Sequence, residues 1–214
     1  MRPDAIGPCH VQQKTGVVAV RVADEQQAAE IARKCLSFFL QPMLSNWLPP
    51  SAEAASRLSS IVPANRKLMY DMRAVISGVC DDDSILELHS ECGCGIITAF
   101  VRIEGRGVGL VANNARHLGG ALDAESCEKA ARFVRLCDSR RLPLLTLIDT
   151  PGFLVGPEAE ATGVLRRGVE LITAAANASV PIVAVVVRKA FGLGAMAMAG
   201  GAPPFRFVFF IFLC

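Results

Sequence analysis

The chain has 214 residues, 52% of them hydrophobic and 20% charged, enough apolar material for a sizeable core. Its 22 Lys and Arg against 20 Asp and Glu leave a net charge of +2 with no basic stripe, which argues against a nucleic-acid partner. Arg188 and Lys189 interrupt the best apolar run, so no membrane span is expected, and cysteines without a secretory leader read as reduced thiols of a cytoplasmic protein.

From the amino terminus, residues 17–22 read as a strand, and Asp24 caps a helix running towards Leu40. Pro42, Pro49, Pro50 and Pro63 among Ser and Ala mark residues 41–65 as a linker and a domain boundary. Residues 1–50 would then end one unit, 51–66 connect, and 67–202 build a second. Asp71 opens a short helix, and residues 96–103 and 108–113 form a hairpin around Glu104-Gly105-Arg106-Gly107.

Asp123 caps a helix over 124–140 that turns Cys127, Ala130, Ala131, Val134 and Cys137 inwards and places Glu125 with Lys129, and Glu128 with Arg132, on its wet side. The continuous apolar run 144–148 is the pattern of a strand buried on both faces. A second helix carries Leu165, Val169, Ile172 and Ala176 on its apolar face, and 181–187 is another buried strand. This order predicts an α/β fold with parallel strands and right-handed crossovers. Residues 203–214, an apolar tail, fit neither an amphipathic helix nor an alternating strand.

Chemistry is concentrated at Phe191-Gly192-Leu193-Gly194-Ala195, where a buried strand runs into glycines that open a helix. Unpaired backbone NH groups at such a start can form an oxyanion hole or cradle a phosphate, and the glycines can equally serve a tight turn alone. Asp149-Thr150-Pro151-Gly152 resembles a nucleotide-binding DxxG loop, but a phosphate-loop partner is missing: Gly163 and Gly168 have the spacing, yet Val169 stands where Lys is required. His10, His89 and His117 are scattered, Cys92 and Cys94 lack a ligand set, Asp81-Asp82-Asp83 reads as a solvated turn, and Arg166 with Arg167 as a wet face. No metal site is expected.

Five blocks in order carry a resemblance to the carboxyltransferase (beta) subunits of biotin-dependent acyl-CoA carboxylases, the propionyl-CoA and methylcrotonyl-CoA carboxylase family. They are YDMRAVI at 70–76, VGLVANN at 108–114, KAARFVRLCD at 129–138, PLLTLIDTPGFLVG at 143–156 and RKAFG at 188–192. The resemblance implies a crotonase-like ββα superhelix, with residues 1–50 ending a first carboxyltransferase domain and 67–202 forming most of the second. It also implies transfer of carboxylate from carboxybiotin to the α-carbon of an acyl-CoA through enolate intermediates held by backbone oxyanion holes.

By position, the resemblance assigns the biotin-side hole to the NH groups of Leu193 and Gly194, with Phe191, Gly192, Ala195 and Met196 contacting substrate. Met196 replaces the aspartate of propionyl-type enzymes. Biotin is expected on a partner biotin carboxyl carrier, alongside a biotin carboxylase subunit and a homo-oligomer built through the carboxyltransferase dimer interface. The glycine pair of the first domain would precede residue 1, so the chain alone is expected to show no turnover. The tail from Pro203 reads as a frameshift or incomplete reading frame. Two alternatives are a catalytically silent fragment of that subunit and another crotonase-like hydratase or isomerase, which would need an acid or base carboxylate beside its hole.

Overall fold

Three aspartates start three helices. In a computed structural model, which describes residues 6–40, 58, 60–65, 68–201 and 208–212, each accepts from a backbone NH of the turn it precedes. Asp24 takes Gln27 N and begins α2 (Glu25–Ser37), Asp71 takes Arg73 N and begins α3 (Met72–Val79), and Asp123 takes Ser126 N and begins α4 (Ala124–Ser139). A short helix α1 (Cys9–Lys14), which no sequence signal announced, precedes them.

The sheet has six strands in chain order: β1 (Leu86–Leu88), β2 (Ile96–Ile103), β3 (Arg106–Asn113), β4 (Leu144–Thr150), β5 (Ile182–Ala190) and β6 (Val208–Phe212). The first three pair antiparallel, and β3 to β6 pair parallel. Helix α4 carries the chain from β3 to β4, and α5 (Pro157–Ala161) with α6 (Val164–Asn177) carries it from β4 to β5. The last helix, α7 (Gly192–Met198), follows β5 directly.

Alternate residues of the strands enter two cores. Ile96, Phe100, Leu144 and Ile148 meet α4, α6 and α7 on one face, while Ile97, Ala99, Leu145 and Leu147 meet Met72, Val75 and Ile76 of α3 on the other. With both faces covered, every residue of β4 is buried, which is why its sequence is apolar without alternation. Phe38 and Phe39 of the amino-terminal segment close the first core against Phe100, with ring centroids 5.7 and 5.2 Å away.

Several expectations are corrected. Residues 17–22 are not a strand; among the described residues their tie to the sheet is the hydrogen bond from His89 N to Ala19 O at 2.8 Å. On α6 the buried stripe is Val164, Gly168, Leu171 and Ala175, whereas Leu165 and Val169 are 68% and 53% exposed. Gly168 sits on the buried side because the Phe153 ring lies 2.8 Å from where its Cβ would be. A glycine chosen for close approach does not register as apolar, so the neighbouring stripe looked like the inner face.

Lys129 is not on a wet face: it is 6% exposed, and its Nζ donates to His89 O at 2.7 Å and Ile96 O at 2.8 Å. Its expected partner Glu125 is replaced by these carbonyls, and Glu128 pairs with Arg167 instead of Arg132. Asp81 is more than a solvated residue, since its carboxylate accepts from Glu104 N and Gly105 N and holds the β2–β3 turn. The proline-rich stretch from Pro42 to Pro50 and most of the tail lie outside the described residues. Within the tail, the backbone of β6 extends the sheet where the sequence suggested no element.

Candidate functional site

Strand β5 delivers Phe191, Gly192 and Leu193 to solvent at the carboxyl edge of the sheet. Phe191 is the N-cap of α7, in extended conformation at φ −112°, and Gly192 turns the chain with φ +61°, a value that favours glycine. Phe191 and Leu193 are 51% and 55% exposed, Gly194 is buried, and Ala195 and Met196 are half-buried. The first NH groups of a helix have no partner within it. Among the described residues, the Ala195 NH reaches Phe191 O at 3.4 Å, and no backbone acceptor is found for Gly192, Leu193 or Gly194.

A loop from β4 fixes the depth of this turn. A Cβ on Gly194 would lie 2.8 Å from Cα and C of Gly152, so only glycine lets the start of α7 press this closely on residues 151–153. That loop is itself tied down. Thr150 Oγ1 accepts from Gly152 N, Leu122 N donates to Gly152 O, and Leu154 N donates to Leu122 O.

At the ends of β4 and β5, just before the turn, lies a buried ionic cluster that the sequence did not reveal. Asp149 is 0% exposed. Its Oδ2 accepts from Tyr70 Oη at 2.8 Å and lies 3.0 Å from Arg188 Nη2, while its Oδ1 accepts from Lys189 N at 3.1 Å and lies 3.8 Å from Lys189 Nζ. Arg188 also stacks over the Tyr70 ring at 4.8 Å and donates to Leu68 O, and Lys189 Nζ donates to Gly119 O at 2.6 Å. Burial, followed by the charge of Asp149, pushes the Tyr70 phenol above its ordinary range, so it stays a donor. Two cations against one carboxylate leave this cluster net positive.

The remaining candidates fall elsewhere. His117 Nε2 lies 3.0 Å from Asp123 Oδ2 at the start of α4, and Arg166 pairs with Glu170 on an exposed face. A cavity of about 430 Å³ opens on the outer side of α4, lined by Lys14, His89, Cys92, Lys129, Arg132 and Arg167 among others, and it shares no residue with the glycine turn. Among the described residues no group of three or more His, Cys, Asp and Glu is placed to hold a metal ion. No described helix is long and apolar enough to cross a membrane.

The sequence matches the Carboxyl transferase domain family over residues 4–211. The chain belongs to this family. Among curated relatives it is similar to the biotin-dependent long chain acyl-coenzyme A carboxylase beta4 subunit of Mycobacterium tuberculosis, 37% identical over 204 residues that cover 92% of this chain and 39% of that subunit. Among solved structures it superposes with TM-score 0.89 and 44% identity on a single-chain, multi-domain long-chain acyl-CoA carboxylase, covering 94% of this chain and 20% of that one. It also superposes with TM-score 0.83 and 36% identity on transcarboxylase 12S bound to hydrolysed methylmalonyl-coenzyme A, covering 92% of this chain and 40% of that one. The chain therefore spans about two fifths or less of the length of these relatives. The fold is the crotonase-like α/β fold expected, and the family match reaches past Pro203 into the tail.

Proposed function

We propose that the chain is the part of an acyl-CoA carboxylase carboxyltransferase that receives biotin, with the NH groups of Leu193 and Gly194 holding the ureido oxygen. The observation that carries this reading is two consecutive NH groups, on exposed Leu193 and buried Gly194, for which no backbone acceptor is found among the described residues, at a turn seated by Gly194 on the Gly152 loop. Such donors act where negative charge develops, and a rigid backbone turn needs no reorganisation to meet it. Residues 1–50 then end the first crotonase-like domain and 67–202 supply the second, with 51–66 between them.

Biotin, carried on a partner carrier protein, supplies the carboxylate. The residues of this chain orient the ureido group: Phe191 and Leu193 offer exposed apolar surface beside the donors, and Gly192 leaves them uncovered. Ala195 and Met196, the next residues of α7, are half-buried. An acyl-CoA is the acceptor, a biotin carboxylase the source of loaded carrier, and a homo-oligomer in the cytoplasm the working form. Asp149, at the end of the strand that leads into the Gly152 loop, does not suit the base a hydratase needs, since it is fully buried and engaged by Tyr70, Arg188 and Lys189.

Free biotin added to the ¹⁵N-labelled chain is expected to shift the amide resonances of Leu193 and Gly194. Leu193→Ala should keep that response because only its NH is used. Gly194→Ala should abolish it, because the new Cβ meets the Gly152 backbone at 2.8 Å. Turn amides that stay still in saturating millimolar biotin would remove the assignment.

A further inference from the structure

Opposite Asp149 the ladder of β4 and β5 breaks register. Ile148 pairs with Val186, but Thr150 pairs with Ala190, so β5 advances four residues while β4 advances two. Val187, Arg188 and Lys189 thus lie in a bulge facing one residue, Asp149. In a regular strand consecutive side chains point to opposite faces, so Arg188 and Lys189 could not serve the same carboxylate. The bulge is what allows both to reach it, and bulges of this kind re-aim side chains next to functional sites.

We infer that Asp149 is a positioning residue for the oxyanion turn, and this inference rests on the assignment of Leu193 and Gly194 proposed above. Asp149 grips the bulge by its Oδ1, through Lys189 N, and by its Oδ2, through the Arg188 guanidinium. Two residues later Phe191 N donates to Thr150 O at 3.2 Å, and the glycine turn begins. The same short segment of β4 continues into Gly152, against which Gly194 is seated. Asp149 therefore holds both sides of one contact: the strand that carries the donors and the loop that limits their depth. Tyr70 and Asn113 keep the clamp in place, Tyr70 Oη donating to Oδ2 and Asn113 Oδ1 accepting from Asp149 N at 3.1 Å.

A carboxylate that neutralises Arg188 and Lys189 only for stability would lower the unfolding midpoint when lost, without moving the turn in molecules that remain folded. A clamp moves the turn. In folded Asp149→Asn the amide resonances of Gly192, Leu193, Gly194 and Ala195 are expected to shift before any ligand is added. Free biotin should then bind about tenfold or more weakly, since small misplacement of oriented groups is costly. Should that variant not fold, Tyr70→Phe removes one bond to Oδ2 and should produce the same displacements at smaller amplitude. Turn amides and biotin affinity unchanged in a folded variant overturn the clamp and leave the biotin assignment standing. A wild-type turn that ignores biotin overturns that assignment and with it the functional half of the inference.

Discussion

Two charged groups, Asp149 on β4 and Lys129 on α4, are buried and compensated differently. Asp149, at the end of β4, meets two cations and a phenol, while Lys129, in the middle of α4, meets two backbone carbonyls and no anion within ion-pair distance among the described residues. Opposite charge can cancel the penalty of burying an ion, whereas carbonyl dipoles cancel it only in part. The ammonium of Lys129 shows the difference, for burial lowers its pKa to about 8. The carboxylate that is fully compensated belongs to the cluster just before the glycine turn, and the ammonium that is compensated only in part belongs to α4.

The comparison predicts its largest effect at Asp149. Asp149→Ala leaves the Arg188 guanidinium, only 7% exposed, without its anion, and should cost about 3–5 kcal/mol in urea unfolding. Lys129→Met keeps an apolar stem in place but removes the donor to the Ile96 and His89 carbonyls, the latter still accepting from Cys92 N, so a smaller loss of about 1–3 kcal/mol is expected. A loss at Lys129 equal to or larger than that at Asp149 would break the contrast between ionic and dipolar compensation.

The smallest predicted effect is a pH dependence. Lys129 titrates at about 8 in the folded chain against 10.5 when free, so between these values the unfolded chain holds more protons and stability rises with pH. The buried thiols of Cys80, Cys127 and Cys137 oppose this, because burial raises them from 9.0 to about 12 and their contribution is lost as pH climbs past 9.0. The gain from Lys129 should therefore be read between pH 8 and 9, as a rise in the urea midpoint of wild type relative to Lys129→Met. A parallel pH response in the two proteins would show that Lys129 is not the titrating group.

Much of the fold was legible in the residues. Asp24, Asp71 and Asp123 marked helix starts because a cap is made within a few residues of itself, and the β2–β3 hairpin and the buried strands β4 and β5 followed from local pattern. The glycine turn was legible for the same reason: its donors are consecutive, so the chain cannot separate them. The inner face of α6 was misread because Gly168 answers to the Phe153 ring, which arrives from another element. Lys129 was misread because helical spacing offered Glu125 as a partner, whereas the carbonyls that bind it belong to residues 89 and 96.

By itself, then, the sequence determined the α/β order of elements, the family and the place of Gly192, Leu193 and Gly194, since each is a local pattern or an ordered set of them. Only the tertiary structure decided what holds that turn. Asp149 lies 79 residues from Tyr70 and 39 from Arg188, and the bulge that lets Arg188 and Lys189 share its carboxylate appears only when β5 is laid against β4. Charge compensation inside a protein depends on distances between elements, and those distances are set by packing rather than by spacing along the chain.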